Sequence, residues 1–279
     1  MRGGRSKKKM YRDVFEVDSE IDDGMDEALH GRSPPAGRSF AGSSVSHFGG
    51  GEVPLKEVAI RPRNDVQGAY LRALEGAPVV VVATGSAGTG KSWMACHAAW
   101  NSLVRGQVDK IVLTRPIVHV DDGEGIGFMP GGMYDKMKTW TAPLLDVFHG
   151  LVSPQRFMSL LDKEKILICP LDLMRGRSFE NCIILADECQ NATPKQMLML
   201  LTRIGQGSKL VITGDVKQHD RPRTVNGLSD FLERVARYPD DGGAAGGGLR
   251  DDVAIFTFDE RHVERHPFIK HVLKMYDAV

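Results

Sequence analysis

The sequence predicts an α/β fold in which helices cover both faces of a mostly parallel β-sheet. Short apolar segments alternate with segments of helical periodicity, which is typical of parallel strands joined by crossover helices. Several of the apolar segments are continuous runs of β-branched residues, which indicates strands buried on both faces. A glycine-rich loop follows the first of these runs and leads into a helical segment, an arrangement suited to binding phosphate.

The regular pattern begins near residue 64. Asn64 or Asp65 is predicted to cap a helix that Gly76 ends. We predict six strands, over 78–83, 110–115, 165–169, 182–187, 208–215 and 253–258. We predict the remaining helices over 93–105, within 133–162, after Pro194, over 226–237 and over 262–277. Because they are rich in glycine, 116–132 is expected to form a long loop and 242–248 a flexible surface loop.

The first 60 residues differ in composition from the rest of the chain. Six of the first twelve residues are Arg or Lys, and residues 13–27 then carry eight carboxylates. Few apolar side chains are available there to offset the entropy of ordering the backbone. We therefore predict a disordered, charged and glycine- and serine-rich tail over 1–60 and one folded domain over 61–279. Solvation is the favoured role of the basic tip, ahead of contact with nucleic acid.

Overall charge and hydropathy exclude several classes of protein. Lys and Arg number 36 and so do Asp and Glu, a balance that argues against a polycation coating nucleic acid. The longest apolar run, 77–83, is far shorter than the roughly 20 residues that span a bilayer. No apolar stretch follows the basic N-terminus, as a secretory signal would require. The four cysteines show no CxxC spacing, so we expect a cytoplasmic protein without disulfides and without membrane contact.

The glycine-rich loop fits the pattern GxxxxGK[ST]. It consists of Gly85, Ser86, Ala87, Gly88, Thr89, Gly90, Lys91 and Ser92. Its glycines let backbone N–H groups curl around phosphate oxygens, and the following helix N-terminus adds a positive dipole end. Lys91 is predicted to reach the β- and γ-phosphates, and the Ser92 hydroxyl to bind Mg²⁺. A glycine-rich turn without a ligand is the structural alternative.

Two later strands are predicted to end in polar residues at the same edge of the sheet. Asp187 and Glu188 follow the strand that begins at Cys182, and Gln218 lies shortly after the next strand. We predict that Asp187 holds Mg²⁺ through a water molecule and that Glu188 orients and deprotonates the attacking water. Gln218 is placed to hydrogen-bond both the γ-phosphate and that water.

These stretches resemble known ATPase motifs. The pattern DEcQ (187–190) followed by GDxxQ (214–218) resembles motifs II and III of superfamily 1 helicases. The PhoH-like ATPases, first described as phosphate-starvation-inducible proteins, are the closer resemblance. It is carried by LTRPIVHVDDGEGIGFMPG (113–131), by LMRGRSFENCIILADECQNATPKQMLMLLTRIGQGSKLVITGD (173–215) and by ERHPFIKHVLKMY (264–276). Together these motifs span about residues 60–279.

The resemblance implies a RecA-like P-loop NTPase that binds and hydrolyses ATP with Mg²⁺. It also implies a ring-like homo-oligomer, with a hexamer as one candidate, and a role with single-stranded RNA or DNA. That role would involve helicase-like activity or partnership with a ribonuclease. Gln67 stands where helicases carry a Q-motif, which implies contact with adenine. A lone RecA-like domain needs an arginine from a neighbouring subunit, and we favour Arg177 or Arg203 over Arg115 and Arg175.

Two other functions remain open from the sequence. One is a nucleotide-gated scaffold that recruits a ribonuclease and hydrolyses little ATP, and the other is a small-molecule kinase with 116–132 as its lid.

Residues 195–223 hold six basic and two acidic residues, which makes them the best stretch for contact with a phosphate backbone. A solvated charged face explains that stretch equally well.

Overall fold

The computed structural model describes residues 54–117, 133–218, 225–239 and 248–259, together with Arg261, Phe268 and Met275. Within 133–140 it describes the backbone alone. Most of the tail predicted over 1–60, most of the loop predicted over 116–132 and most of the loop predicted over 242–248 lie outside these residues. So does the helix predicted over 262–277, apart from Phe268 and Met275.

The described residues form one six-stranded sheet. Its strands are β1 (Val80–Gly85), β2 (Lys110–Thr114), β3 (Ile166–Ile168), β4 (Cys182–Ala186), β5 (Lys209–Gly214) and β6 (Val253–Phe258). They lie in the order β3-β2-β4-β5-β1-β6, and every neighbouring pair is parallel. The predicted parallel α/β class is therefore confirmed, and each predicted strand lies within two residues of the observed one.

Seven α-helices connect or flank the strands in the described parts of the chain. They are α1 (Asp65–Glu75), α2 (Lys91–Val104), α3 (Met133–His149), α4 (Pro154–Asp162), α5 (Pro194–Leu201), α6 (Gly227–Arg237) and α7 (Leu249–Asp252). Two 3-10 turns, Leu171–Met174 and Cys189–Asn191, complete the connections. The sequence did not predict these turns or the four-residue α7, because segments this short carry too few residues to show a periodicity.

Capping side chains fix where several helices begin. The Asn64 side chain accepts a hydrogen bond from the Gln67 N–H at 2.9 Å, as predicted for α1. Thr193 and Gln196 form a capping box at the start of α5. At the other end of α1, the Lys209 ammonium donates to the carbonyl oxygens of Ala73, Leu74 and Gly76 at 2.8–2.9 Å. This ammonium satisfies carbonyl groups that the helix itself leaves unpaired.

The central strands are buried on both faces, as their continuous apolar runs predicted. One core cluster packs alternate strand residues such as Val82, Ile184 and Ile212 against Met197 and Leu200 of α5. The intervening strand residues are buried as well, and α2 contacts β2, β4 and β5. The edge strand β6 is only partly buried. Along its second half, more exposed and less exposed residues alternate, although most of its side chains are apolar.

Contacts to α2 begin before the predicted domain boundary. The Asn101 amide exchanges two hydrogen bonds with the Val58 backbone at 2.8 and 2.9 Å, and the Trp100 indole donates to the Lys56 carbonyl at 2.9 Å. Arg105, at the end of α2, forms an ion pair with Glu57 at 2.7 Å. Residues 56–58 therefore lie along α2, although the division at residue 60 was predicted from composition.

Parallel strands bring the site residues to one edge of the sheet. Strands β4, β5 and β1 are neighbours, and all of them run in the same direction. The chain after β1 is the glycine-rich loop, the chain after β4 is Asp187 and Glu188, and the chain after β5 is Asp215. The carboxyl edge of an open α/β sheet is where ligands bind.

Candidate functional site

The glycine-rich loop turns tightly between β1 and α2. Gly85, Gly88 and Gly90 have φ values of +119°, +80° and +88°, which L-residues with side chains rarely adopt. A Cβ atom at Gly85 would also collide with the carbonyl oxygen of Phe258 on β6. The backbone geometry therefore requires glycine at the two positions that the pattern fixes, 85 and 90, and at position 88 between them. This supports a phosphate-binding loop rather than an ordinary glycine-rich turn.

The Lys91 ammonium lies inside the curl of this loop. Its Nζ donates to the carbonyl oxygens of Gly85 at 2.6 Å and Ser86 at 2.7 Å, and to the Thr89 hydroxyl at 3.2 Å. Only 8% of Lys91 is exposed. The loop thus concentrates positive charge at its centre, where the N-terminal end of α2 adds to it.

Ser92 and Asp187 are in direct contact, although 95 residues separate them in the sequence. The Ser92 hydroxyl donates to Asp187 Oδ1 at 2.8 Å, and the Thr213 hydroxyl of β5 donates to the same oxygen. Asp187 is 6% exposed and its own N–H donates to the Thr114 carbonyl at the end of β2. Strand ends β2, β4 and β5 together therefore hold this carboxylate beside the glycine-rich loop.

Glu188 adopts a left-handed backbone conformation with φ +53°, which is uncommon for a residue with a side chain. Its two carboxylate oxygens contact different partners. Oε2 accepts a hydrogen bond from the Gln190 amide, and Oε1 lies 3.7 Å from Nη2 of Arg115. Glu188 is still partly exposed, so the carboxylate is oriented by its neighbours and remains accessible from the cavity.

Gln190 connects Glu188 to the end of β5. Its Oε1 accepts a hydrogen bond from the Asp215 N–H at 3.0 Å, while its amide nitrogen donates to Glu188. A Cβ atom at Gly214 would lie 2.7 Å from Gln190 Oε1, so the glycine lets this bridge form. Gln218 is exposed, and its N–H donates to the Asp215 carbonyl at 3.1 Å. Gln190 therefore links the β5 end to Glu188 through two hydrogen bonds.

One cavity of about 300 Å³ collects these groups. It is lined by Gly85, Ala87, Gly88, Gly90, Lys91, Ser92, Asp187, Glu188 and Gln218, together with Pro143, Leu144 and Val147 of α3. Most of the predicted nucleotide residues and both predicted metal residues therefore surround a common space. Ser86 and Thr89 of the loop are not among its lining residues. Gln67 and the two favoured arginines are not among its lining residues.

The donor set at Ser92 and Asp187 fits magnesium. Both groups present hard oxygen atoms, and Mg²⁺ commonly takes one or two protein oxygens together with phosphate oxygens and water. The described residues contain no group of three or more His, Cys, Asp or Glu side chains that could hold a metal ion by themselves. A magnesium ion here would therefore depend on a bound phosphate chain.

Burial sets the protonation of nearby groups. It raises the pKa of the Cys96 and Cys189 thiols, and the Asp187 charge raises both further. Burial is also the main reason that the pKa of Tyr70 is raised well above its ordinary value. These groups stay neutral near pH 7, so the acidic groups of the cavity lining that could bind a cation are the carboxylates of Asp187, Glu188 and Asp215. All four cysteines are buried and free.

Gln67 touches the loop from the opposite side. It is 4% exposed, its Nε2 donates to the Thr89 carbonyl at 3.1 Å, and its Oε1 accepts from the Arg63 N–H at 2.8 Å. The side chain therefore ties the segment before α1 to the phosphate-binding loop. Its contact with adenine stays a prediction.

The structure puts Arg177 and Arg203 together, away from the cavity. The Arg203 side chain donates to the carbonyl oxygens of Met199 at 3.1 Å and Arg177 at 2.9 Å, which caps the end of α5. The Arg177 guanidinium lies 4.9 Å from the centre of the Phe179 ring. Their action on a neighbouring subunit stays a prediction, because one chain does not test it.

Sequence reasoning gave no role to three residues at this edge. Gln190 was part of the DEcQ pattern, but its spacing alone did not show that it reaches the β5 end. Thr213 looked like an ordinary strand residue, and Trp93 looked like part of an amphipathic helix. Trp93 directly follows Ser92 and is 45% exposed, and an aromatic residue beside a phosphate-binding loop is the signal that could have identified it.

The amino-acid sequence is similar to those of several bacterial proteins. A PhoH-like protein from Bacillus subtilis (strain 168) is 36% identical over 223 residues, which cover 80% of this chain and 65% of that protein. Protein PhoH from Escherichia coli (strain K12) is 40% identical over 178 residues, which cover 63% of this chain and 49% of that protein. The chain thus spans between about half and about two thirds of the length of these relatives.

A solved structure, Pif1 helicase from Candida albicans, matches with a TM-score of 0.35 and 13% identity over 77% of this chain and 44% of that chain. A similarity of this size assigns no function. No described helix has the length and apolar character needed to cross a membrane. The family model described as PhoH-like protein matches residues 59–277. Since that match covers most of the chain, this protein belongs to the PhoH-like family.

Proposed function

We propose that this protein binds and hydrolyses ATP with Mg²⁺ and couples hydrolysis to the handling of single-stranded RNA or, less readily, DNA. The observation that carries the proposal is the direct contact between Ser92 of the loop and Asp187 after β4, beside Lys91 and Glu188. Four groups from two distant parts of the sequence converge on one cavity, and each has the chemistry that phosphoryl transfer from ATP to water requires.

Each residue has a separate part in the proposed reaction. The loop N–H groups and Lys91 bind the triphosphate. Ser92 and Asp187 would hold Mg²⁺, which supplies positive charge at the β- and γ-phosphate oxygens when bound. Glu188 orients the attacking water and accepts its proton, and Gln218 contacts the γ-phosphate.

The proposal includes a homo-oligomer, since an arginine from a neighbouring subunit would complete the site. Such a residue raises the rate by roughly 10³–10⁵ in related NTPases. Arg177 and Arg203 are the predicted candidates. Arg115 pairs with Glu188 of the same chain, so within its own subunit it acts on the general base.

Support for nucleic-acid coupling comes from the motif pair at 187–190 and 214–218 and from exposed cations at the same edge. Lys217 is exposed two residues after Asp215, and Lys195 is exposed at the start of α5. Lys209 and Arg203 cap the ends of α1 and α5, so they are less suited to contact a phosphate backbone than the sequence suggested. The two remaining basic residues of the stretch, Arg221 and Arg223, lie outside the described residues.

A nucleotide-gated scaffold that recruits a ribonuclease is the second candidate. The Gln190 bridge favours it, because a bridge between Glu188 and the β5 end could transmit nucleotide binding without any hydrolysis. Replacing Glu188 by Gln separates the two candidates. A hydrolytic motor loses its function, whereas a scaffold keeps its function in the ATP-bound state.

The test of the proposed function is phosphate release from ATP and Mg²⁺ with and without single-stranded RNA and single-stranded DNA. The Glu188→Gln variant is the blank, and Glu233→Gln, on the exposed surface of α6, is the matched control. We expect turnover above the blank that RNA stimulates and Glu233→Gln preserves. Turnover without stimulation would point to a protein partner as the activator. Turnover equal to the blank would leave the scaffold as the better function.

The loop itself is tested by Lys91→Ala. Removal of this ammonium takes away the positive charge at the loop's centre, so we expect nucleotide binding to be lost. Unchanged affinity for ATP in a folded Lys91→Ala protein would refute the assignment of the loop.

A further inference from the structure

An exposed aromatic side chain stands at the entrance to the phosphate-binding loop. Trp93 is the third residue of α2 and follows Ser92 directly, yet 45% of it is exposed. The preceding Lys91 and the following Met94 are buried, so this exposure is not a property of the whole helix start. An exposed indole in this place leaves a large apolar surface in contact with water.

The indole packs against a second ring of the same helix. The His97 ring, one helical turn later, stacks on it with ring centroids 3.7 Å apart and planes 30° apart. His97 Nδ1 also contacts the Trp93 carbonyl at 2.8 Å, which anchors the imidazole. Because His97 covers one face of the indole, the exposed fraction of Trp93 belongs to the rest of the ring system.

Trp93 joins two cavities. It lines the cavity that holds Lys91, Asp187 and Glu188, and it also lines a second cavity of about 610 Å³. The two cavities share Gly88 and Gly90 as well. The second volume lies within the roughly 300–1,000 Å³ that small-molecule sites occupy. A ligand with its phosphates on the loop would extend past Trp93 into this space.

The remaining walls of the second cavity suit an aromatic base attached to phosphate. Arg61 and Arg63 are exposed there, next to Ala59 and Pro62. Guanidinium groups stack on bases and attract phosphate. Gln67 also reaches this cavity, but it is 4% exposed and both ends of its amide are bonded to backbone. Among the described residues that line this cavity, stacking surface is therefore abundant, whereas the one side-chain amide that could read the edge of a base is already bonded to backbone.

We propose that Trp93 is the stacking platform for the base of the bound nucleotide and that the second cavity accepts purines with little distinction between adenine and guanine. This inference rests on the proposed function, since it assumes that the loop binds a nucleoside triphosphate. Purines are favoured over pyrimidines because two fused rings cover more of the indole. Every base has a face for stacking, so this mode of binding tolerates a change of purine.

The test compares the affinities of Mg²⁺ complexes of ATP, GTP, CTP and inorganic tripolyphosphate by calorimetry. The variants are Trp93→Ala and Trp93→Phe, with Tyr238→Ala as the matched control because Tyr238 is exposed at the end of α6. We expect Trp93→Ala to weaken ATP and GTP about tenfold or more and tripolyphosphate less than about twofold. Trp93→Phe should stay within about threefold of the parent protein, and Tyr238→Ala should be unchanged.

A spectroscopic readout accompanies the affinities. Trp93 is one of three tryptophans in the chain, and Trp100 is 1% exposed. Stacking of a base on Trp93 should quench the protein's fluorescence on addition of ATP or GTP but not of tripolyphosphate. The quench should disappear in Trp93→Phe although this variant still binds ATP.

Each contrary result identifies what has failed. A parent protein that binds ATP while Trp93→Ala binds it equally well would overturn the inference and leave the proposed function intact. Equal weakening of ATP and tripolyphosphate would mean that Trp93 only shapes the loop. A parent preference for ATP over GTP of more than about tenfold would overturn the purine tolerance. A parent protein that binds no nucleotide would overturn both the inference and the proposed function.

Discussion

Comparison of Asp187→Asn with Asp187→Ala should separate two contributions of this side chain, one to magnesium binding and one to the stability of the fold. Asp187 accepts hydrogen bonds from the hydroxyls of Ser92 and Thr213 through the same oxygen. Asn keeps a carbonyl oxygen in that position but carries no charge. Ala removes the acceptor altogether.

The expected magnitudes follow from burial. In Asp187→Asn both hydroxyls keep an acceptor, and the loss of charge assistance is partly offset because a carboxylate that is only 6% exposed no longer has to be desolvated. We expect a change of about 1 kcal/mol or less in the free energy of unfolding. In Asp187→Ala the Thr213 hydroxyl, 3% exposed, loses this partner, which costs about 1–3 kcal/mol. The Ser92 hydroxyl, which is half-buried, loses the same acceptor, and this adds about 1 kcal/mol to the cost of Asp187→Ala.

Two assays measure the two effects separately. Urea denaturation without nucleotide or Mg²⁺ gives the free energy of unfolding of each variant. Phosphate release measured across a series of Mg²⁺ concentrations gives the dependence of turnover on the metal. We expect Asp187→Asn to unfold like the parent protein yet to lose Mg²⁺-dependent turnover, and Asp187→Ala to lose both stability and turnover.

The reasoning would be refuted by either of two results. If Asp187→Ala were as stable as the parent protein, the hydrogen bonds from Ser92 and Thr213 would contribute nothing to the fold. If Asp187→Asn kept the parent's Mg²⁺-dependent turnover, the carboxylate would not be needed for the metal. Asp162→Asn, at the exposed end of α4, is a matched control that should change neither property.

Three further predictions concern the residues around the site. Gly85→Ala should destabilise by more than about 3 kcal/mol in thermal unfolding because its Cβ meets β6, whereas Gly106→Ala, with positive φ but open space, should cost only about 1 kcal/mol. Lys209→Met should lower the free energy of unfolding by about 2 kcal/mol, since three carbonyl oxygens at the α1 end lose their donor. Burial lowers the pKa of His97, so at pH values below about 6.5 this histidine binds a proton more readily in the unfolded chain than in the folded one. The free energy of unfolding of the parent protein, measured in urea titrations, should therefore fall between pH 7 and pH 5 relative to that of His97→Gln. Equal stability of the two glycine variants, an unchanged Lys209→Met protein or parallel pH curves would contradict the respective prediction.

The sheet was predictable because its signals are local. Each strand is a short apolar run bounded by turn residues, and capping residues such as Asn64 and Asn226 mark where helices start. The strand order β3-β2-β4-β5-β1-β6 was not predictable in the same way. Strand order depends on which faces pack together across the whole chain, and a periodicity within one segment carries no information about its neighbours.

The candidate site was predictable in residue type but not in geometry. The loop pattern and the DE pair imply that Ser92 and Asp187 serve a common ligand, and the structure puts them 2.8 Å apart. The left-handed backbone at Glu188 and the reach of Gln190 to the β5 end follow from the tertiary packing of the strand ends. The same holds for Lys209, which looked like a surface cation and instead caps α1.

The buried charges of the described residues converge on the carboxyl edge of the sheet. Among the Lys, Arg, Asp and Glu side chains that the structure describes, those that are buried are Lys91, Asp187 and Asp215. Asp187 and Asp215 directly follow β4 and β5, and Lys91 is the first residue of α2. Burial of a charge is unfavourable unless partners compensate, and the left-handed conformation of Glu188 adds about 1–2 kcal/mol. A fold selected for stability alone would place apolar residues here, as it does along the strands themselves. Their concentration where the loop, the β4 end and the β5 end meet is what a site for a charged ligand requires.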